Sequence, residues 1–142
     1  MRFIKINLRN IVKCVTSGKL VSPDSFVHPN RTIDSYLLLL GLKNTLYIQE
    51  DKEQYYLGKN TSLILDPNKK QSSFKTSYDV SYYWCHFYFN NDIEDVEYEK
   101  AIEIYHMMKN DIFAENCNIV LIPKQLKLPY PEKVNILFHQ LI

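Results

Sequence analysis

Between Ser81 and Phe89 the chain reads Ser-Tyr-Tyr-Trp-Cys-His-Phe-Tyr-Phe, and its most reactive and most polarisable side chains fall on alternate positions. Successive side chains of a β-strand point to opposite faces. Tyr82, Trp84, His86 and Tyr88 therefore share one side, each joining a large ring to a hydrogen-bonding tip, while Tyr83, Cys85, Phe87 and Phe89 share a largely apolar side. Rings cover an organic guest and a few polar tips fix its orientation, which is the chemistry of a small-molecule pocket. The same residues also suit ordinary core packing with satisfied polar tips, and for His86 alone a hydrogen-bonded structural role is the simpler reading.

Other candidates extend or limit that chemistry. Arg31 precedes the first long apolar strand, where its guanidinium could offer donors to hydroxyls or a carboxylate, or else form a surface ion pair. Tyr36 and Tyr47 lie on neighbouring strands and are expected to complete the aromatic wall. His28, His86, His106 and His139 sit on four separate elements without a His-x-His pair, so local spacing assembles no metal site. No Gly-x-Ser-x-Gly elbow, glycine-rich phosphate loop or recognisable cysteine signature is present, and Cys85 alternates onto the apolar face, where a thiol is usually inert. Neither a metal nor a cofactor nor catalysis is expected.

The whole chain sets the frame for these residues. Its 142 residues, 46% of them hydrophobic, are enough for a packed core. Seventeen basic against sixteen acidic side chains leave a net charge of +1, so the basic stripe of a nucleic-acid binder is absent. Cys14, Cys85 and Cys117 are odd in number and far apart in sequence, which suggests reduced cytosolic thiols rather than a disulfide framework. Asn7, Arg9, Asn10 and Lys13 interrupt any signal-peptide core, and the apolar run from Tyr36 to Leu40 is too short to cross a bilayer.

Periodicity predicts strands at residues 36–42, 45–49, 54–57, 62–65, 72–75 and 82–89. Lys43-Asn44, Glu50-Asp51-Lys52, Gly58-Lys59-Asn60 and Asp66-Pro67-Asn68 punctuate them with residues that tolerate left-handed backbone. Past residue 91 the spacing of Ala101, Ile104, Tyr105, Met108 and Ile112 predicts a helix, with Asp92, Glu94 and Asp95 at its N-terminus. A short strand over 119–122 ends at Pro123. Pro131 then opens a second helix carrying Val134, Leu137, Phe138 and Leu141 as an apolar stripe, suited to the barrel or to a second copy.

These elements together resemble the N-terminal sensor domain of AraC-family transcription regulators, particularly those of low-GC Gram-positive bacteria. The likeness spans most of the chain. It is carried by Arg31 before Tyr36-Leu37-Leu38-Leu39-Leu40, by Leu46-Tyr47-Ile48 with Glu50-Asp51, by Leu63-Ile64-Leu65 with Pro67, and most specifically by Tyr83-Trp84-Cys85-His86-Phe87. The tail from Ile122-Pro123 to Leu141 is also similar. Two departures keep turn geometry: Lys43-Asn44 stands for the family's Glu-Gly, and Asn60-Thr61 for its Gly-Asp. A third replaces the histidine that often follows the proline loop with Lys70-Gln71.

The resemblance implies a mainly β fold: a cupin-like double-stranded β-helix, or jelly-roll barrel, over residues 1–90, followed by two α-helices over residues 91–142. It implies an effector, with a sugar among the candidates, bound at Arg31, Tyr36, Tyr47, Tyr82, Trp84 and His86. It also implies a homodimer formed through Val134, Leu137, Phe138 and Leu141, a cytoplasmic location without membrane contact, and DNA binding only through a C-terminal helix-turn-helix domain outside this chain. The abrupt end of the second helix points to an excised domain. The rival expectation is a stand-alone cupin-fold metal enzyme, an isomerase or a dioxygenase.

Overall fold

The computed structural model describes residues 1–90, 93–110 and 118–142. In chain order these form β1 (Arg2–Asn7), β2 (Val12–Phe26), β3 (Arg31–Thr32), β4 (Tyr36–Lys43), β5 (Leu46–Glu50), β6 (Glu53–Leu57), β7 (Thr61–Leu65), β8 (Lys70–Ser72), β9 (Ser77–Phe89), β10 (Glu94–Glu97), α1 (Tyr98–Asn110), β11 (Ile119–Pro123), β12 (Gln125–Lys127) and α2 (Pro131–Leu141). They divide into two compact units, one of Met1–Lys13 with Phe89–Lys124 and one of Cys14–Tyr88 with Gln125–Ile142. This differs from a cut between residues 90 and 91. The reason is pairing: β1 lies between β10 and β11, which ties the chain start to the α1 region, while α2 packs on strands of the second unit.

The second unit holds the site. Its strands form a five-stranded sheet in the order β12-β7-β4-β9-β2 and a four-stranded sheet in the order β3-β8-β5-β6. From β2 to β9 the chain crosses repeatedly between the two sheets, and β12 with β7, β3 with β8, β4 with β7 and β9, and β5 with β6 and β8 all pair antiparallel. Leaving β12 at its edge, this strand order is that of a jelly roll. The inner faces meet in one apolar core, with Leu37, Leu39, Leu63, Leu65, Val80 and Tyr82 from one sheet and Leu46, Ile48 and Leu57 from the other. The leucine run of β4 is buried on both faces, because Leu40, with Leu38 and Leu42, packs outward with Tyr83 and Cys85 against Phe138 and Val134 of α2.

The turns follow the chemistry of their residues. Asn44, Asp51, Asn60 and Asn68 all adopt positive φ, between 52° and 63°, at the four predicted breaks. The buried Glu50 carboxylate accepts the backbone N–H of Asp66 at 2.6 Å, joining β5 to the loop after β7.

Several expectations are corrected. The strand expected over 72–75 lies earlier, at β8, because Gln71 is the register partner of both Arg31 and Glu50. Glu94 and Asp95 belong to β10 rather than to the start of a helix. Tyr105 is exposed, whereas Ala101 and Ile104 are buried and Met108 packs beside them in a cluster with Phe3 and Val96. Asp92, Ile112 and Cys117 lie outside the described residues. Cys14 and Cys85, remote in sequence, come within 3.4 Å as free thiols, and burial pushes the Cys85 thiol up to about 12. No helix among the described residues is long and apolar enough to cross a membrane.

Candidate functional site

The register of β4 against β9 sorts their side chains. Leu37 pairs with His86, Leu39 with Trp84 and Gly41 with Tyr82, and these point into the barrel. Tyr36 pairs with Phe87 and Leu40 with Tyr83, and these point outward. Tyr82, Trp84 and His86 thus line a cavity of about 220 Å³ together with Leu37, Leu39 and Arg31. Leu20 and Phe26 of β2, and His28 and Pro29 from the connection to β3, close the remaining wall. Gly18 sets the seat of the indole, since a Cβ there would stand 2.7 Å from Trp84 Cζ2.

Two expected wall residues are elsewhere. Tyr36 stacks on Phe87 with ring centroids 5.5 Å apart, on the outward side of the register. Tyr47 alternates with the buried Leu46 and Ile48, so its ring meets Tyr56 and Phe74 and lies under Lys75 Nζ at 4.7 Å. Each is displaced by parity: one residue along a strand exchanges the two faces. Tyr88 also leaves the cavity, donating its hydroxyl to Asp34 Oδ1 at 2.6 Å.

The polar groups cluster at the end formed by β3, β8 and the His28 connection. Gln71, fully buried, is the register partner of Arg31, and its Oε1 lies 3.3 Å from His28 Nε2. The backbone N–H of His28 donates to Ser73 Oγ at 2.7 Å, which fixes the connection. After these bonds, His28 Nδ1, Arg31 Nε and Gln71 Nε2 remain buried without a protein partner. Native structures seldom leave such groups unmatched. His86 Nδ1 is 3.0 Å from Ser35 Oγ, which holds the ring against Trp84.

Burial and the Arg31 charge determine ionisation here. Desolvation, offset in part by the Gln71 bond, lowers His28 to about 4. His86 is lowered by desolvation and then by Arg31, and Tyr82 is raised to about 12 by desolvation. All three are therefore neutral at pH 7. His28 binds its proton more weakly when folded, so its contribution is complete above the unfolded value of 6.5 and fades as pH falls toward about 4. Between pH 7 and pH 5 this linkage is expected to cost about 2 kcal/mol. Urea midpoints at the two pH values check it: His28→Gln should flatten the difference, and an unchanged slope would show that another group is responsible.

Sequence reasoning missed His28 and Gln71 as partners, as well as Leu20 and Phe26. Lys70-Gln71, standing where the resembled pattern often has a histidine, was the available signal for Gln71. β2 gave none, because most of its fifteen residues are exposed and Ser-Pro-Asp interrupts any alternation.

No family model and no curated protein matches the chain. Solved structures do. A Ralstonia eutropha protein described as a mannose-6-phosphate isomerase superposes with a TM-score of 0.40 at 9% identity, over 55% of this chain and 82% of its own. Apo ToxT of Vibrio cholerae, as a lysine-to-alanine variant, gives 0.44 at 8% identity over 92% of this chain and 47% of its own. ToxT with a bound unsaturated fatty acid gives 0.39 at 14% identity, over 90% and 44%. The chain spans less than half the length of the ToxT structures. With each score below 0.5, the fold assignment stands on the strand order of this chain.

Proposed function

We propose that this chain is the effector-sensing domain of a cytoplasmic AraC-type transcription regulator, without catalytic activity of its own. The observation that carries this reading is the partly enclosed cavity between the jelly-roll sheets. Tyr82, Trp84 and His86 stand on one strand of it, with Arg31 and His28 facing them. The resemblance around Tyr83-Trp84-Cys85-His86-Phe87 supports the same assignment. Bound effector would favour one arrangement of the domain over another and so bias how attached DNA-reading segments are presented. Polar groups at one end of the cavity could meet the hydroxyls of a sugar or a carboxylate.

Dimerisation through α2 belongs to the same proposal with a smaller surface. Phe138 and Val134 pack inside their own domain, which leaves Leu137 and Leu141 exposed to meet a second copy. The metal-enzyme reading is the weaker one: the two cavity histidines share their space with the Arg31 cation, and no group of three or more candidate metal ligands occurs among the described residues. Metal stoichiometry of the purified protein would decide between the two.

A thermal-shift screen of small polar organics tests the effector site. A true effector should stabilise the wild type by several degrees through mass action and lose that effect with Trp84→Ala. Equal stabilisation of both proteins would remove Trp84 from the site.

A further inference from the structure

We propose that the cavity is built for a small monocarboxylate with an apolar aromatic or branched body, on the order of ten non-hydrogen atoms in size. This rests on the cavity being the effector site, and it names the class of effector. Charge is the first argument. Arg31 is the ionised side chain of the lining; the lining contains no Asp or Glu, and no carboxylate pairs with Arg31 among the described residues. A partly buried cation without a counterion is costly, and a guanidinium presents a planar fork that matches a carboxylate. His28, His86 and Tyr82, neutral themselves, do not offset that charge.

Distribution of polarity is the second argument. Arg31, a lining residue, has an unpartnered donor at Nε, and its register partner Gln71 on β8, itself outside the lining, has another at Nε2, so the unmatched donors gather at one end. Leu20, Phe26, Pro29, Leu37, Leu39 and the Trp84 ring form most of the rest, with the tips of Tyr82 and His86 among them. A sugar carries hydroxyls around its whole ring and would bury several of them against these apolar walls without partners, which binding sites penalise strongly. A molecule polar at one end only fits the division. A hydroxyl beside its carboxylate would also satisfy His28 Nδ1, which accepts when the ring is neutral and its other nitrogen donates to Gln71.

Size is the third. A cavity of about 220 Å³ has room for roughly seven waters, below the usual range for drug-sized ligands. An acyl chain of sixteen or more carbons exceeds it, whereas benzoate, phenylacetate and 4-methylpentanoate do not.

Trp84 is the one tryptophan of the chain, so its emission reports directly on the cavity. The 142-residue protein is titrated with those three carboxylates, their primary amides, xylose, glucose and hexadecanoate, with calorimetry in parallel. At least one small carboxylate should quench or shift Trp84 emission and bind ten-fold or more tighter than its amide, with sugars and hexadecanoate weaker still. Arg31→Gln should erase the preference for carboxylate over amide, and Arg31→Lys should retain part of it. The wild-type comparison alone decides the matter if the variants do not fold. An amide or a sugar that binds as well as the carboxylates, and is lost in Trp84→Ala, overturns the carboxylate class while leaving the effector site standing. Tighter binding of hexadecanoate overturns the size limit. Absence of binding by every probe, together with a blank thermal-shift screen, overturns both readings.

Discussion

Gly41→Ala is expected to destabilise the barrel by about 3 kcal/mol or more, or to prevent soluble folding. A Cβ on Gly41 would lie 2.0 Å from the Gly58 carbonyl oxygen and 2.8 Å from its carbon. Backbone cannot rotate aside as a side-chain tip can, so β4 and the turn after β6 would have to separate. Two bonds would be disturbed with them: Gly41 O accepts the Asn60 N–H at 2.9 Å, and Gly58 O accepts the Thr61 N–H. The register of β4 on β9 also shifts between Gly41 and Lys43, so the strand has its irregularity where the other backbone approaches. Gly58→Ala is the control, because its Cβ would meet nothing nearer than Thr61 Oγ1 at 4.0 Å and its φ is not positive. Urea unfolding of both variants separates the cases, and a Gly41→Ala midpoint equal to wild type would show that the two backbones do not touch.

Phe138→Ala is expected to cost about 3 kcal/mol, while Leu137→Ala stays within about 0.5 kcal/mol. The neighbours differ in face. Phe138 is 6% exposed and stacks on Tyr83 with centroids 5.2 Å apart and planes 7° from parallel, over the outer face of the five-stranded sheet. Leu137 is 65% exposed. Removing the phenyl ring leaves a void beside Leu40 and Cys85 and frees α2, which has no side-chain cap bond at its N-terminus to hold it independently. Chemical denaturation measures the first difference. Sedimentation of Leu137→Asp adds the second: loss of a dimer without loss of stability would place the interface on the exposed face, and equal losses of stability in both alanine variants would contradict the packing.

The contrast between Phe138 and Leu137 also shows how far a stripe can be read. Val134, Leu137, Phe138 and Leu141 were recognisable as one apolar group, but only the rotation of α2 on its sheet determines which of them are buried. On β9, strict alternation separated Tyr82, Trp84 and His86 from Tyr83, Cys85 and Phe87 correctly, because the strand is long and both of its faces have distinct chemistry. β4 is a leucine run that marks no inner face, and in β5 the inward parity belongs to Leu46 and Ile48, so Tyr36 and Tyr47, expected in the wall, turn away from it.

What the sequence determined by itself is therefore local: the turns at Asn44, Asp51, Asn60 and Asn68, the β character of the middle of the chain, the helical start at Pro131, and the two-faced aromatic strand. Each depends on backbone preference or on spacing within one element. The folded arrangement alone shows that β1 joins β10 and β11, that Cys14 meets Cys85, that His28 and Arg31 line one cavity with Trp84, and that Gln71 meets His28 beside it. Those placements depend on pairing register between segments more than forty residues apart, as with His28 and Gln71. Register is a property of two strands together, and a shift of one residue in either exchanges what faces the cavity for what faces away.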